Sequence, residues 1–145
     1  MPYTKILIHA IWSTKNREPY ITKELKPKLL SHIKENSVKK DIYIDFMNCV
    51  HDHIHMIINL KPDQKFSDVI QLIKGESSFW VNQNKLIKFK FAWQNDYIAA
   101  SVSESMLNKV REYIKNQEEH HKKKTFMDEY TDFIKKYGFR EDNSG

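Results

Sequence analysis

The fold is decided by one stretch: Asp41-Ile42-Tyr43-Ile44-Asp45-Phe46-Met47-Asn48-Cys49-Val50, then His51-Asp52, then His53-Ile54-His55-Met56-Ile57-Ile58-Asn59-Leu60. In a strand, successive side chains point to opposite faces, so apolar residues at every second position mark a buried face. Ile42, Ile44 and Phe46 alternate in the first run. Ile54, Met56, Ile58 and Leu60 share one face of the second and read as core. Only His51-Asp52 separates the runs, short enough for a hairpin, so the two strands pair antiparallel. His53 and His55 then project to the face opposite Ile54 and Met56, the one that can be open.

The rest of the chain is arranged around this hairpin. Thr4 to Ser13 reads as a strand with Ile6, Ile8, Ala10 and Trp12 on one face, followed by a loop at Lys15–Pro19. Thr22 to Asn36 has helical spacing through Leu25, Leu29, Leu30 and Ile33, with Pro27 tolerated only in the first turn. Ser67 to Lys85 reads as a helix with Val69, Ile70, Ile73, Trp80 and Val81 inward. A fourth strand lies within Phe89–Ala100. Ser101 or Ser103 can cap a helix over Glu104–Lys123. Thr125, with Asp128 three residues on, can cap a last helix offering Phe126, Tyr130, Phe133, Ile134 and Tyr137 for packing. The order β-α-β-β-α-β-α-α predicts an α+β fold. It is a ferredoxin-like or RRM-like split β-α-β antiparallel sheet with helices on one face. The additional C-terminal helices include the one that carries Tyr113. The other sheet face is left for a ligand, a partner or those added helices.

The 145 residues suit a single domain, 1–145, with a frayed tail at 141–145. No run of eighteen apolar residues suggests a membrane span, and the first residues lack a secretion-signal pattern. Cys49 is the only cysteine, which excludes an internal disulfide. A soluble cytoplasmic protein is the expectation. The net charge of +5 and pI of about 9.1 favour polyanionic partners.

Two motifs carry chemistry. Residues i and i+2 of a strand lie roughly 6.5–7 Å apart on one side, so the imidazoles of His53 and His55 can converge on one cation. They can equally be two surface histidines. His51 has the same parity and would complete a three-histidine zinc site, but its place in the turn argues for exposure. Tyr113 and Gln117 are spaced i,i+4 and stack on one side of a helix. A phenol there can be a nucleophile if a neighbour or a metal assists it, and the Gln117 carbonyl oxygen suits Mg2+ or Mn2+. Tyr113 can also be an amphipathic core residue with its hydroxyl at the rim. His121, four residues beyond Gln117, can reach the same place, although a solvated position at a helix end suits it better.

Taken together, Asp52-His53-Ile54-His55-Met56 and Tyr113-Ile114-Lys115-Asn116-Gln117 followed by His120-His121 resemble the IS200/IS605-family transposases, the single-tyrosine (Y1) HUH enzymes. Lys74-Gly75-Glu76-Ser77-Ser78 and Phe91-Ala92-Trp93-Gln94 look like further family segments, in the family's order. The resemblance spans residues 3 to 139. It implies a divalent metal, Mg2+ or Mn2+, bound by His53 and His55 with Gln117 as third ligand. It further implies Tyr113 as the nucleophile that forms a 5′-phosphotyrosine on single-stranded DNA, and DNA transposition through hairpin ends. It also implies a homodimer whose subunits can share active sites. The family often has proline at the position of His51, so no role passes to His51. It often has glycines around Tyr97, where Asp96 and Ile98 stand here. Lys74 and Arg111 are candidate DNA contacts from charge and place. Two other readings compete. One is a domesticated or non-catalytic nucleic-acid-binding module of RRM-like topology, which calls for aromatic rings where the strand carries histidines. The other is a small zinc hydrolase built on His51, His53 and His55.

Overall fold

The computed structural model of the chain describes residues 2–122 and 124–137, so the tail at 141–145 falls outside it. Four strands, β1 (Ile6–Ser13), β2 (Tyr43–Val50), β3 (His53–Leu60) and β4 (Ile98–Ser101), form one antiparallel sheet in the order β2-β3-β1-β4. This is the split β-α-β arrangement expected from the hairpin. Helices α1 (Leu25–Lys39) and α2 (Phe66–Gln83) cover one face. Their inward residues, Leu25, Leu29, Ile33, Val69, Ile70 and Ile73, close on Ala10, Trp12, Ile54, Met56 and Ile58. Each such side chain removed from water contributes about 1.5–3 kcal/mol. Pro27 falls in the first turn of α1, where its missing N–H is harmless. The Leu25 amide donates to Thr22 Oγ1, 3.1 Å.

The second face is also covered. Helices α3 (Leu107–Lys115), α4 (Gln117–His121) and α5 (Phe126–Tyr137) follow β4, and a smaller cluster of Leu7, Ile57, Leu107 and Ile114 packs beneath α3. The capping pair foreseen for α5 is present and reciprocal. The Asp128 amide donates to Thr125 Oγ1, and the Thr125 amide to Asp128 Oδ2.

Three local expectations are corrected. Ile42, Ile44 and Phe46 do not keep one alternation, because the β2–β3 register shifts between Ile44 and Phe46. Asp45 is the extra residue, so Ile44 stays with the larger core while Phe46 turns to the smaller cluster. The single helix expected over Glu104–Lys123 is interrupted. A 3-10 turn, Glu104–Met106, precedes α3, and Asn116 (φ −93°, ψ 23°) separates α3 from α4. The cause lies on β2. Asn48 Nδ2 donates to the carbonyls of Ile114 (2.9 Å) and Lys115 (3.3 Å), which an uninterrupted helix would have used itself. The fourth strand begins only at Ile98. Before it, one isolated bridge joins Trp93 to Thr14.

Candidate active site

β3 places the histidine pair at the centre of the sheet. His55 lies between Ile11 of β1 and Asn48 of β2, and His53 between Ser13 and Val50. Their face is not open: both rings are fully buried beneath the C-terminal helices. The open-face expectation is therefore corrected, because three added helices close over the polar side of the sheet. The rings do not sit in hydrocarbon. Each is surrounded by polar partners, the condition under which such groups can be buried.

His53 Nδ1 meets Asp52 Oδ1 at 2.8 Å, and its Nε2 faces Gln117 Oε1 at 3.3 Å and Glu129 Oε1 at 3.4 Å. His55 Nε2 lies 2.9 Å from the same Glu129 Oε1, while its Nδ1 is 2.9 Å from His9 Nε2. The second Glu129 oxygen, Oε2, accepts a hydrogen bond from the Tyr113 hydroxyl. Glu129 thus ties the imidazole pair to the phenol, one oxygen to each side. Gln117 Nε2 donates to the Tyr113 carbonyl at 3.3 Å, holding the start of α4 against α3. The His120 ring stacks on Tyr113 with centroids 4.8 Å apart.

The electrostatics follow from this arrangement. Burial alone would lower the His53 imidazole, but hydrogen bonds to Asp52 and Glu129 prevail and raise its pKa above the ordinary 6.5. His55 is lowered to about 4, chiefly by burial, with Glu129 only partly opposing. Burial, then the neighbouring His55, lower His9 to about 3. Burial would raise the Glu129 carboxyl, yet hydrogen bonds from His121, His53 and His55 hold it well below the carboxylate range. Burial and the Glu129 carboxylate push the Tyr113 phenol well above its ordinary 10.

The donor set fits a divalent cation. One ligand atom each from His53, His55 and Glu129 lies within 4.8 Å of the others. Imidazole nitrogen with carboxylate oxygen suits Mn2+ and its neighbours among the divalent metals. Gln117 Oε1, fully buried at the same point, is a further oxygen donor.

Of the residues singled out from sequence, His53, His55, Tyr113 and Gln117 come together. His51 is exposed in the turn, as expected, with its side chain 58% accessible. His121 is not the solvated helix-end residue expected: its Nε2 is 3.2 Å from Gln117 Oε1 and 3.7 Å from Glu129 Oε2. Arg111 and Lys74 stand apart from the cluster and are engaged elsewhere. Arg111 forms a two-pronged ion pair with Asp45 at the β2 bulge (2.8 and 2.6 Å). Lys74 Nζ donates to the carbonyls of Asn95 (3.0 Å) and Asp96 (3.3 Å), and burial lowers it to about 8. Three residues were missed: Glu129, His9 and Asp52. Asp52 adjoins the motif, and parity places His9 on the histidine face of β1. The sequence has no local signal for Glu129 beyond its place in the first turn of α5.

The other two segments singled out from sequence also meet. Trp93 Nε1 donates to Ser77 Oγ at 2.9 Å, and Ser77 Oγ donates to the Ile73 carbonyl. Among the described residues no helix is long and apolar enough to cross a membrane.

Residues 2–117 match the family model described as transposase, IS200 like. The ISDra2 transposase TnpA of Deinococcus radiodurans is 24% identical over 114 residues, covering 75% of this chain and 81% of that protein. The transposase for insertion sequence element IS200 of Salmonella typhimurium is 28% identical over 119 residues, covering 79% and 78%. Among solved structures, a transposase from Deinococcus radiodurans R1 superposes with a TM-score of 0.65 at 21% identity, over 80% of this chain and 93% of the other. A REP-associated tyrosine transposase bound to a REP hairpin gives 0.63 at 19%, over 83% and 72%.

Proposed function

The chain belongs to the IS200-like transposase family, a family of DNA-processing enzymes, and on that premise we propose that it cleaves and rejoins single-stranded DNA with Tyr113 as nucleophile. The observation that carries this reading is the Glu129 bridge: one carboxylate touches both imidazoles of the His53–His55 pair and the Tyr113 hydroxyl. In this reading Tyr113 is the nucleophile, Glu129 the proton acceptor and the imidazole pair the cation site, all around one carboxylate.

The Tyr113 oxygen attacks the scissile phosphorus and forms the Tyr–O–P bond, while the P–O3′ bond breaks. The product is a 5′-phosphotyrosine, and the leaving 3′-oxygen takes up a proton from solvent. Glu129 Oε2 receives the phenol proton. With the phenol pKa raised and that of Glu129 lowered, this transfer is uphill before attack and accompanies the bond formation. Asp52 and His9 fix the two rings from behind, leaving Nε2 of each directed at the reacting point. A divalent cation, Mg2+ or Mn2+, held by His53, His55 and Glu129 with Gln117, supplies Lewis-acid polarisation of the phosphate when bound. Attack of a 3′-OH on the phosphotyrosine reverses the chemistry and rejoins the strand. The covalent linkage conserves the phosphodiester energy, so no nucleotide triphosphate is required.

A relative bound to a hairpin supports hairpin-bearing single strands as the DNA partner. A homodimer, with shared or separate sites, is part of this reading. A DNA-processing role fits a cytoplasmic location.

The test is to incubate the protein with end-labelled hairpin-tailed single-stranded DNA and Mn2+ and to look for a denaturant-stable, protease-sensitive adduct. We expect the wild type to form it and Tyr113→Phe to lose it by at least about 10³-fold while remaining folded, since only a half-buried hydroxyl is removed. Equal adduct yield from Tyr113→Phe would overturn the reading.

A further inference from the structure

A cavity of about 520 Å³ borders the active site on the β1–β4 side, and no part of the mechanism above uses it. Its origin is visible in the strand pairing. The β1–β4 ladder ends at Ile11↔Ile98, and the next link is the Thr14↔Trp93 bridge. Three steps along β1 therefore face five along the other segment; the Gln94 amide still donates to the Ser13 carbonyl at 2.9 Å, and residues 95–97 loop away from the sheet edge. The volume lies in the range of small-molecule sites, about 300–1,000 Å³.

The lining has a consistent chemistry. Tyr97, Phe126 and Tyr130 contribute rings, Asn16 and Gln94 contribute amides, and Arg17 contributes a guanidinium. Tyr97 and Tyr130 are exposed although both are large aromatics. Among the described residues Arg17 has no carboxylate partner, and the Gln94 carbonyl oxygen only receives the Asn16 amide at 3.3 Å. Asn16 and Arg17 both hold a left-handed backbone, φ 56° and 55°, in a turn pinned by Thr14 Oγ1 donating to the Glu18 carbonyl at 2.6 Å. A carboxylate, Asp96, also lines the cavity, and its backbone carbonyl accepts from Lys74 Nζ at 3.3 Å.

One ring connects the cavity to the reaction. Phe126 lines the cavity wall and also lies against the His53 imidazole, with centroids 4.8 Å apart. A strand with its scissile phosphate at Tyr113 and His53 therefore has its neighbouring nucleotide beside Phe126. Rings for stacking, amides for a base edge and a cation for a phosphate are the combination that binds single-stranded nucleic acid.

We infer that this cavity is the subsite for the nucleotide next to the scissile phosphate, with Tyr97 and Tyr130 stacking on its base and Arg17 contacting its backbone. The inference rests on the proposed strand cleavage for its substrate, but binding and cleavage can be tested separately.

The experiment uses the full chain as Tyr113→Phe, which cannot react, with fluorescent single-stranded oligonucleotides carrying one 5-iodouracil or one abasic position, walked across the cleavage site. Photocrosslinks from the position beside the cleaved phosphate should map by mass spectrometry to peptides containing Tyr97 or Phe126–Tyr130. An abasic residue there should weaken binding roughly 5- to 100-fold, with Tyr97→Ala giving a similar loss. Arg17→Ala should weaken binding to all sequences and flatten the salt dependence. Crosslinks confined to other surfaces, or unchanged affinity for Tyr97→Ala and Arg17→Ala, would overturn the subsite. If wild-type adduct formation persists with those results, strand cleavage stands and only the subsite falls. If the subsite crosslinks form but the wild type makes no adduct, the subsite stands and the cleavage reading falls.

Discussion

Ile54 and His55 are neighbours on β3, both fully buried, and they lie in opposite kinds of interior. Ile54 faces α1 and α2 among aliphatic and aromatic side chains, where each buried group adds to stability without needing a specific partner. His55 faces α3–α5 among His9, His53, Glu129 and Tyr113, where burial is costly unless each polar atom is matched. The larger core holds the sheet together. The second face uses that rigidity to keep charged and ionisable groups in fixed positions out of water. The helices that close it, α3 to α5, also deliver the phenol and the carboxylate.

The largest effect expected from breaking this contrast is on the core face. Ile54→Ala should lower the unfolding free energy by about 2–5 kcal/mol in urea denaturation, while Mn2+ affinity of the folded protein stays the same. A loss of metal affinity at unchanged stability would mean the two faces are not divided in this way.

Acid should act on the polar face, and its sign can be worked out. His55 and His9 have folded pKa values lowered from 6.5, to about 4 and about 3. Between pH 6.5 and 4 the unfolded chain therefore binds more protons, and stability falls as pH falls through that window. The His55 shift alone corresponds to about 3 kcal/mol at the low end. His53, whose folded pKa is raised, contributes in the opposite sense. Its stabilisation is complete below 6.5 and is lost as pH rises through its folded value. Glu129, lowered by its histidine neighbours, stabilises above the ordinary carboxylate pKa and stops doing so only in stronger acid. With two lowered histidines against one raised, urea midpoints of the metal-free protein should drop from pH 7 to pH 5, and His55→Ala should reduce the slope. A flat profile would contradict the burial of neutral rings.

A smaller effect sharpens the comparison within the polar face. Asp52→Asn keeps the size of the group beside His53 Nδ1 but removes its charge. It should weaken Mn2+ binding about 10- to 100-fold by calorimetry, with a change in stability much smaller than that of Ile54→Ala.

What could be read from the sequence was local. The hairpin around His51-Asp52 follows from two alternating runs and a two-residue gap, and the α5 cap follows from Thr125 and Asp128 three residues apart. The IS200-like membership was legible because its motifs are short and ordered. What could not be read comes from contacts between distant residues. The alternation of Ile44 and Phe46 looks regular, and only the register with β3 shows that Asp45 is extra. The break at Asn116 is caused by Asn48, 66 positions from Ile114. Glu129 reaches His55 across 74 positions, so no spacing rule links it to the His-x-His motif. His121 was read as solvated because the closure of α5 over α4 has no signature in its own helix.

The most direct measurement is the identity of the residue that becomes attached to DNA. Trypsin cuts after Arg111 and Lys115, so Tyr113 lies in the four-residue peptide Glu112–Lys115. After reaction with hairpin-tailed single-stranded DNA and nuclease trimming, we predict that this peptide carries the nucleotide mass. The nucleotide mass on a peptide containing Tyr97 or Tyr130, with Glu112–Lys115 unmodified, would contradict the role given to Tyr113.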